Sequence, residues 1–177
     1  MYCLAPDRAN TLRTVITLSA PPRLVPPTAA VRVSYLTAEQ ADCTASGFDT
    51  GWLGPGERRL RRLRDRLPAR PATPFSTYWY VSGEHYLGTL AIRHELTPAL
   101  LVDGGHLGYH VSPAWRRQGH ATRMLAAGLT EARRLGLTRV LLTNEPSRKT
   151  IVANGGRPDE TLGAELRYWI DLDPAPL

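Results

Sequence analysis

The side chains best suited to chemistry in this sequence crowd into one stretch, HLGYHVSPAWRRQGHAT, from position 106 to 122. Its last seven residues, RRQGHAT, run straight into the apolar-periodic segment RMLAAGLTEARRLGL and therefore sit at a helix start. A helix start normally carries an acceptor such as Ser, Asp or Asn and acidic residues in the first turn, because the first N–H groups have no partner and the dipole adds partial positive charge. Here there are two arginines, a glutamine and a glycine. A bound phosphate supplies the missing negative charge, with Gly119 letting it approach the backbone and Arg116 or Arg117 adding charge.

Other familiar sites lack their parts. There is no GxxxxGK[ST], no GxSxG and no GxGxxG opening a helix, which removes the usual machinery of nucleotide hydrolysis, serine hydrolysis and dinucleotide binding. His106 and His110 are four apart. On a strand that spacing separates them by about 13 Å, so they cannot share one metal, and no metal is expected. Cys3 and Cys43 stand in no metal or redox spacing, which suits a reducing cytoplasm.

The elements that must hold these residues follow from periodicity. A chain of 177 residues suits one domain that buries about 70% of its unfolded surface. Residues 1–29 read as an N-terminal arm ending in the proline-rich linker PPRLVPP (21–27), and residues 30–177 as a single domain. AVRVSYL (30–36) alternates like a strand, with Thr37 capping a short helix after it. ERRLRRLRDRL (57–67) puts Leu60, Leu63 and Leu67 on one stripe of a basic amphipathic helix. TYWYV (77–81) and YLGTLAIR (86–93) form an antiparallel hairpin, and GHLGYHV (105–111) a third strand. Beyond the loop comes a helix with Ala121, Met124, Leu125, Gly128, Leu129, Ala132 and Leu135 on one face, stopped by Gly136. TRVLLT (138–143), a short helix over 147–154 and ELRYWIDL (165–172) complete an α/β (α+β) fold with a mixed, mostly antiparallel sheet flanked by helices.

The net charge is +6, and Lys149 is the only lysine among 22 basic residues. Arginine codons are GC-rich, so the bias reports base composition as well as a preference for anionic partners. No apolar run reaches the roughly 18 residues that span a bilayer, and a cytoplasmic protein is expected.

A strand, the pattern R-x-x-G-x-A (Arg116, Gly119, Ala121), a long amphipathic helix and a second strand together resemble motif A of the GNAT superfamily of acyl-CoA N-acyltransferases. The resemblance extends over roughly residues 75 to 172, through STYWYVSGEHYLGTLAIRHEL and the later NEPSRKTIVANGG, and looks like a bacterial branch of predicted acetyltransferases. It implies that the N–H groups of Arg117, Gln118, Gly119, His120, Ala121 and Thr122 hold the pyrophosphate of coenzyme A, with Arg116 adding charge. It further implies that Val111 lends a backbone N–H to the oxyanion, and that Asn144 and Ser147, in N-x-x-S spacing, contact the cofactor. Related enzymes often carry a tyrosine that protonates the leaving thiolate, seven residues beyond that asparagine. Here the position holds Ile151.

Acyl transfer to an amine needs the neutral amine, and at pH 7 an alkylamine with a pKa near 10 is only about one part in a thousand neutral. A histidine near pKa 6.5 can take the proton. His106 and His110 are the candidate catalytic bases, with His94 and Glu95 behind them. Tyr109, Tyr168 and Trp169 are candidate linings of an acceptor pocket. The expected activity is transfer of an acetyl group from acetyl-CoA to a small-molecule amine by direct transfer in a ternary complex. The alternatives are a non-acetyl or carrier-protein-bound donor, or a catalytically weak acyl-CoA-binding module. Candidate partners beside the amine are an acidic carrier protein docked on the 57–67 helix and a second copy of the chain. Nucleic acid is disfavoured, because that helix offers phosphate contacts without base-reading side chains.

Overall fold

A computed structural model describes residues 18–46, 73–102, 104–143, 147–159 and 167–172. The predicted basic helix at 57–67, Asn144 and the first 17 residues lie outside them. Two antiparallel sheets form the frame. The first has the order β1-β2-β3-β4, from β1 (Arg23–Val25), β2 (Phe75–Ser82), β3 (His85–Arg93) and β4 (Leu107–Val111). The second has the order β5-β7-β6, from β5 (Arg139–Thr143), β6 (Arg157–Asp159) and β7 (Arg167–Asp171).

The hairpin expected from TYWYV and YLGTLAIR is present, closed by Gly83 and Glu84 between the paired Ser82 and His85. Strand β3 is buried from Tyr86 to Ile92 without a break, which fits a strand covered on both faces. One cover is helix α1 (Arg32–Ser46), over Val81 and Tyr86. The other is the long helix α3 (His120–Arg134), whose Met124, Leu125, Leu129 and Ala132 pack with Leu90, Leu107 and Val140 into the main core. The shorter helices are α2 (Pro98–Val102) and α4 (Arg148–Val152).

Three expectations need correction. AVRVSYL is helical. The alternation over seven residues is outweighed by a longer period, in which Val31, Tyr35, Ala38 and Asp42 recur at steps of four, three and four, the first three packing on the β2–β3 hairpin and Asp42 buried after them in sequence. Thr37 accordingly caps nothing; its Oγ1 donates to Val33 O one turn back at 3.0 Å. The segment read as linker carries β1, where Arg23, Leu24 and Val25 pair with Val81, Tyr80 and Trp79. Its prolines, at 21, 22, 26 and 27, flank the three paired residues, so β1 is a short edge strand that proline permits. Strand β6 and helix α2 carry too few residues for any period to reveal them. Among the described residues, no helix is long and apolar enough to cross a membrane.

Candidate acyl-CoA site

The two sheets are joined at one end. His106 N–H donates to Leu141 O at 2.7 Å, Leu141 N–H donates back to His106 Nδ1 at 2.9 Å, and Gly104 N–H donates to Thr143 Oγ1 at 2.7 Å. Past that junction, among the described residues, β4 pairs only with β3 and β5 only with β7. Among those residues β4 therefore ends its sheet with an unpaired edge, and it leads directly into the loop that starts α3.

The loop and the helix start it leads to carry unusual backbone geometry. After a 3-10 turn at Pro113–Trp115, Arg117 has φ 62° and Gly119 has φ 75°, both left-handed. Gly119 is the N-cap of α3, no side chain caps the helix, and no acidic residue stands in its first turn. The N–H groups of that turn thus face outward with neither intrahelical nor side-chain acceptors. A Cβ on residue 119 would lie 3.2 Å from Arg123 Nη1, filling the concavity where an anion would enter. The chain offers left-handed turns, an uncapped helix and nearby guanidinium groups. This donor set fits a pyrophosphate, and the backbone of residues 117–122 would hold it.

The side chains divide differently from the sequence expectation. Arg116 is turned inward: its Nε donates to Val111 O at 2.8 Å and its Nη2 to Asp42 Oδ1 at 2.8 Å. It braces the loop against α1. The exposed Arg123, one turn into the helix, donates to Gln118 O at 3.0 Å and lies 3.3 Å from His120 Nδ1, which puts its charge at the helix start. The sequence reading passed over Arg123, although its position four residues after Gly119 was a usable signal. Gln118 Nε2 donates to Ala114 O at 3.1 Å. His120 is buried between the rings of Tyr80 and Trp115, and burial with the Arg123 charge lowers its pKa. Ala121 packs against the core, and Thr122 O accepts from Asn154 Nδ2 at 3.2 Å, tying α4 to the first turn of α3. Ser147 stands at the N-cap of α4.

The two candidate bases have separate environments. His106 is 8% exposed and is held at the sheet junction, its Nδ1 engaged by the Leu141 N–H. Burial, with the charges of Arg139 and Arg93, lowers its pKa to about 4. It is a structural acceptor and a weak base, a role set by the junction rather than by the strand. His110 Nε2 lies 2.7 Å from Asp42 Oδ2, whose side chain is 3% exposed. Asp42 was not foreseen, since it stands 68 residues from His110 and 74 from Arg116 in sequence. Of the remaining candidates, His94 Nε2 bonds Ser76 Oγ at 2.9 Å and Glu95 is exposed. Tyr168 is core, and Trp169 Nε1 donates to Asp159 Oδ2 at 2.8 Å.

Set beside known proteins, the chain belongs to the acetyltransferase (GNAT) family, whose sequence pattern matches residues 42–153. It is an acyl-CoA-dependent N-acyltransferase whose co-substrate is acetyl-CoA. The fold is shared with Mycobacterium smegmatis RimJ in complex with CoA-disulfide, at 23% identity and a TM-score of 0.57, covering 87% of this chain and 83% of that one. It is also shared with RimL, a ribosomal L7/L12 alpha-N-protein acetyltransferase in complex with coenzyme A, at 14% identity and a TM-score of 0.60, covering 90% and 99%. An acetyltransferase from Agrobacterium tumefaciens matches at 16% identity and a TM-score of 0.54, covering 96% of each chain. No curated protein matches.

Proposed function

We propose that the protein acetylates a primary amine of a small molecule by direct transfer from acetyl-CoA, with His110 as the base. The observation that carries this reading is the Asp42–His110 contact at 2.7 Å beside the Arg116 brace. A carboxylate accepting from Nε2–H fixes the tautomer, and the Nδ1 lone pair, with no hydrogen-bonding partner among the described residues, is left to take a proton. Acetyl-CoA supplies the activated acyl carbonyl. The loop at 116–122 positions the pyrophosphate end, Arg116 holds that loop to α1 and to Val111, and the unpaired edge of β4 receives the acyl arm. Direct transfer is favoured because neither cysteine stands in the loop or strand segments.

A second reading of the acceptor has its own support. RimL is a ribosomal L7/L12 alpha-N-protein acetyltransferase, and RimL and RimJ share this fold. A protein N-terminus is an amine with a pKa near 8, easier to deprotonate than an alkylamine. Thiol release from acetyl-CoA should be followed with two panels, small amines and peptides with free N-termini. Turnover confined to the peptides would overturn the small-molecule reading, and thiol release with neither panel would overturn acetyl transfer to an amine.

A further inference from the structure

The position where the family resemblance leads one to seek a thiolate-protonating tyrosine holds Ile151, and its side chain is 0% exposed in the main core. No proton can come from there. A hydroxyl does reach the neighbourhood from a different element. Tyr109 lies on β4, paired with Leu90, and its ring packs against the main core. Its hydroxyl is buried beside the hydroxyls of Ser147 and Thr150, at the start of α4, and bonds them only weakly, out of ideal geometry; that contact partly offsets the rise in its pKa caused by burial.

A buried hydroxyl held only by poorly directed contacts is stabilised when a better partner arrives. Tyr109 and His110 are successive residues on the edge strand, so they point to opposite faces of β4. A thioester laid along the unpaired edge would have the Asp42-held imidazole on one side and the phenol on the other. The raised pKa keeps the phenol protonated at neutral pH, which is the form that donates.

Resting on the acetyl-transfer reading above, we propose that Tyr109 is the catalytic proton donor to the leaving thiolate of coenzyme A, serving from β4 in place of a donor at position 151. The amine nitrogen bonds to the acyl carbon, and the carbon–sulfur bond breaks with its electron pair on sulfur. The sulfur takes the phenolic proton. The proton shed by the amine goes to His110 and returns through solvent to the tyrosinate, so thioester and amine become amide and thiol with no other reactant.

The test compares binding of coenzyme A with binding of desulfo-coenzyme A, in which hydrogen replaces the thiol. It uses the intact protein and its Tyr109→Phe variant, which preserves the ring's packing. The wild type should prefer the thiol by about 3- to 10-fold, and the variant should bind both compounds equally. The variant's kcat with acetyl-CoA should fall about 10²-fold with KM nearly unchanged. A thiol preference that survives Tyr109→Phe, or a kcat within twofold of wild type, overturns the assignment of Tyr109 alone. Failure of the wild type to bind coenzyme A overturns the acyl-CoA reading itself, and this proposal with it.

Discussion

The carboxylate of Asp42, on α1, holds His110 Nε2, on β4, at 2.7 Å and with its second oxygen holds Arg116 Nη2 at 2.8 Å. One buried charge thereby fixes both the proposed base and the loop that begins α3. Asp42→Asn keeps the shape and removes the charge. It should cost about 1–3 kcal/mol, read as a lowered melting temperature. The apparent KM for acetyl-CoA should rise as well, because Arg116 loses its brace. Arg116→Ala should show the same two effects together, whereas a purely ligand-facing arginine would change KM alone.

Gly119 tests the anion site directly. With φ at 75°, a valine there costs about 1–2 kcal/mol of backbone strain and places a branched side chain against Arg123. Coenzyme A affinity, measured by titration calorimetry, should fall about 10- to 100-fold with the fold intact. Arg123→Ala should weaken binding only about two- to fivefold, since its charge is exposed. Unchanged affinity in Gly119→Val removes the loop from the binding site.

Activity of the variants separates the two histidines. If His110 accepts the amine proton, kcat/KM should fall by about 10²- to 10⁴-fold in His110→Gln, with little change in cofactor affinity. His106→Gln should keep most of the activity.

His106 should instead appear in stability. Its pKa is about 4 in the fold against 6.5 for the ordinary side chain, so the fold favours the neutral ring. The unfolded chain takes up a proton first as the pH falls. The stabilisation is whole above pH 6.5 and is withdrawn between 6.5 and 4, a difference on the order of 3 kcal/mol. Denaturation midpoints of His106→Gln, whose amide oxygen can still accept the Leu141 N–H, should decline less over that interval than those of the wild type. Parallel decline in the two proteins would show that His106 titrates normally.

What the sequence disclosed here was mostly local. RRQGHAT raised the expectation of an anion site because the anomaly, a helix start without an acceptor, is contained in seven residues. The β2–β3 hairpin and the apolar face of α3 were legible for the same reason. Helix α1 was misread because seven alternating residues drowned a period that needs Val31 through Asp42 to emerge. Asp42 itself was invisible as a site residue, since only the folding of α1 over the first sheet brings it to His110 and Arg116. Nor could the sequence tell the two histidines apart: both fall within one expected strand, and only the fold engages His106 Nδ1 with a backbone N–H that belongs to β5.

Gly105, with φ at 59°, sits against the junction of the sheets, and a methyl group there would fall 2.3 Å from Leu141 O. That single hydrogen atom works as the pin of a hinge. Any side chain at 105 would drive β4 and β5 apart at their shared end and reset the angle at which they diverge toward the loop. The angle between the two sheets is therefore set at a position that carries no side chain.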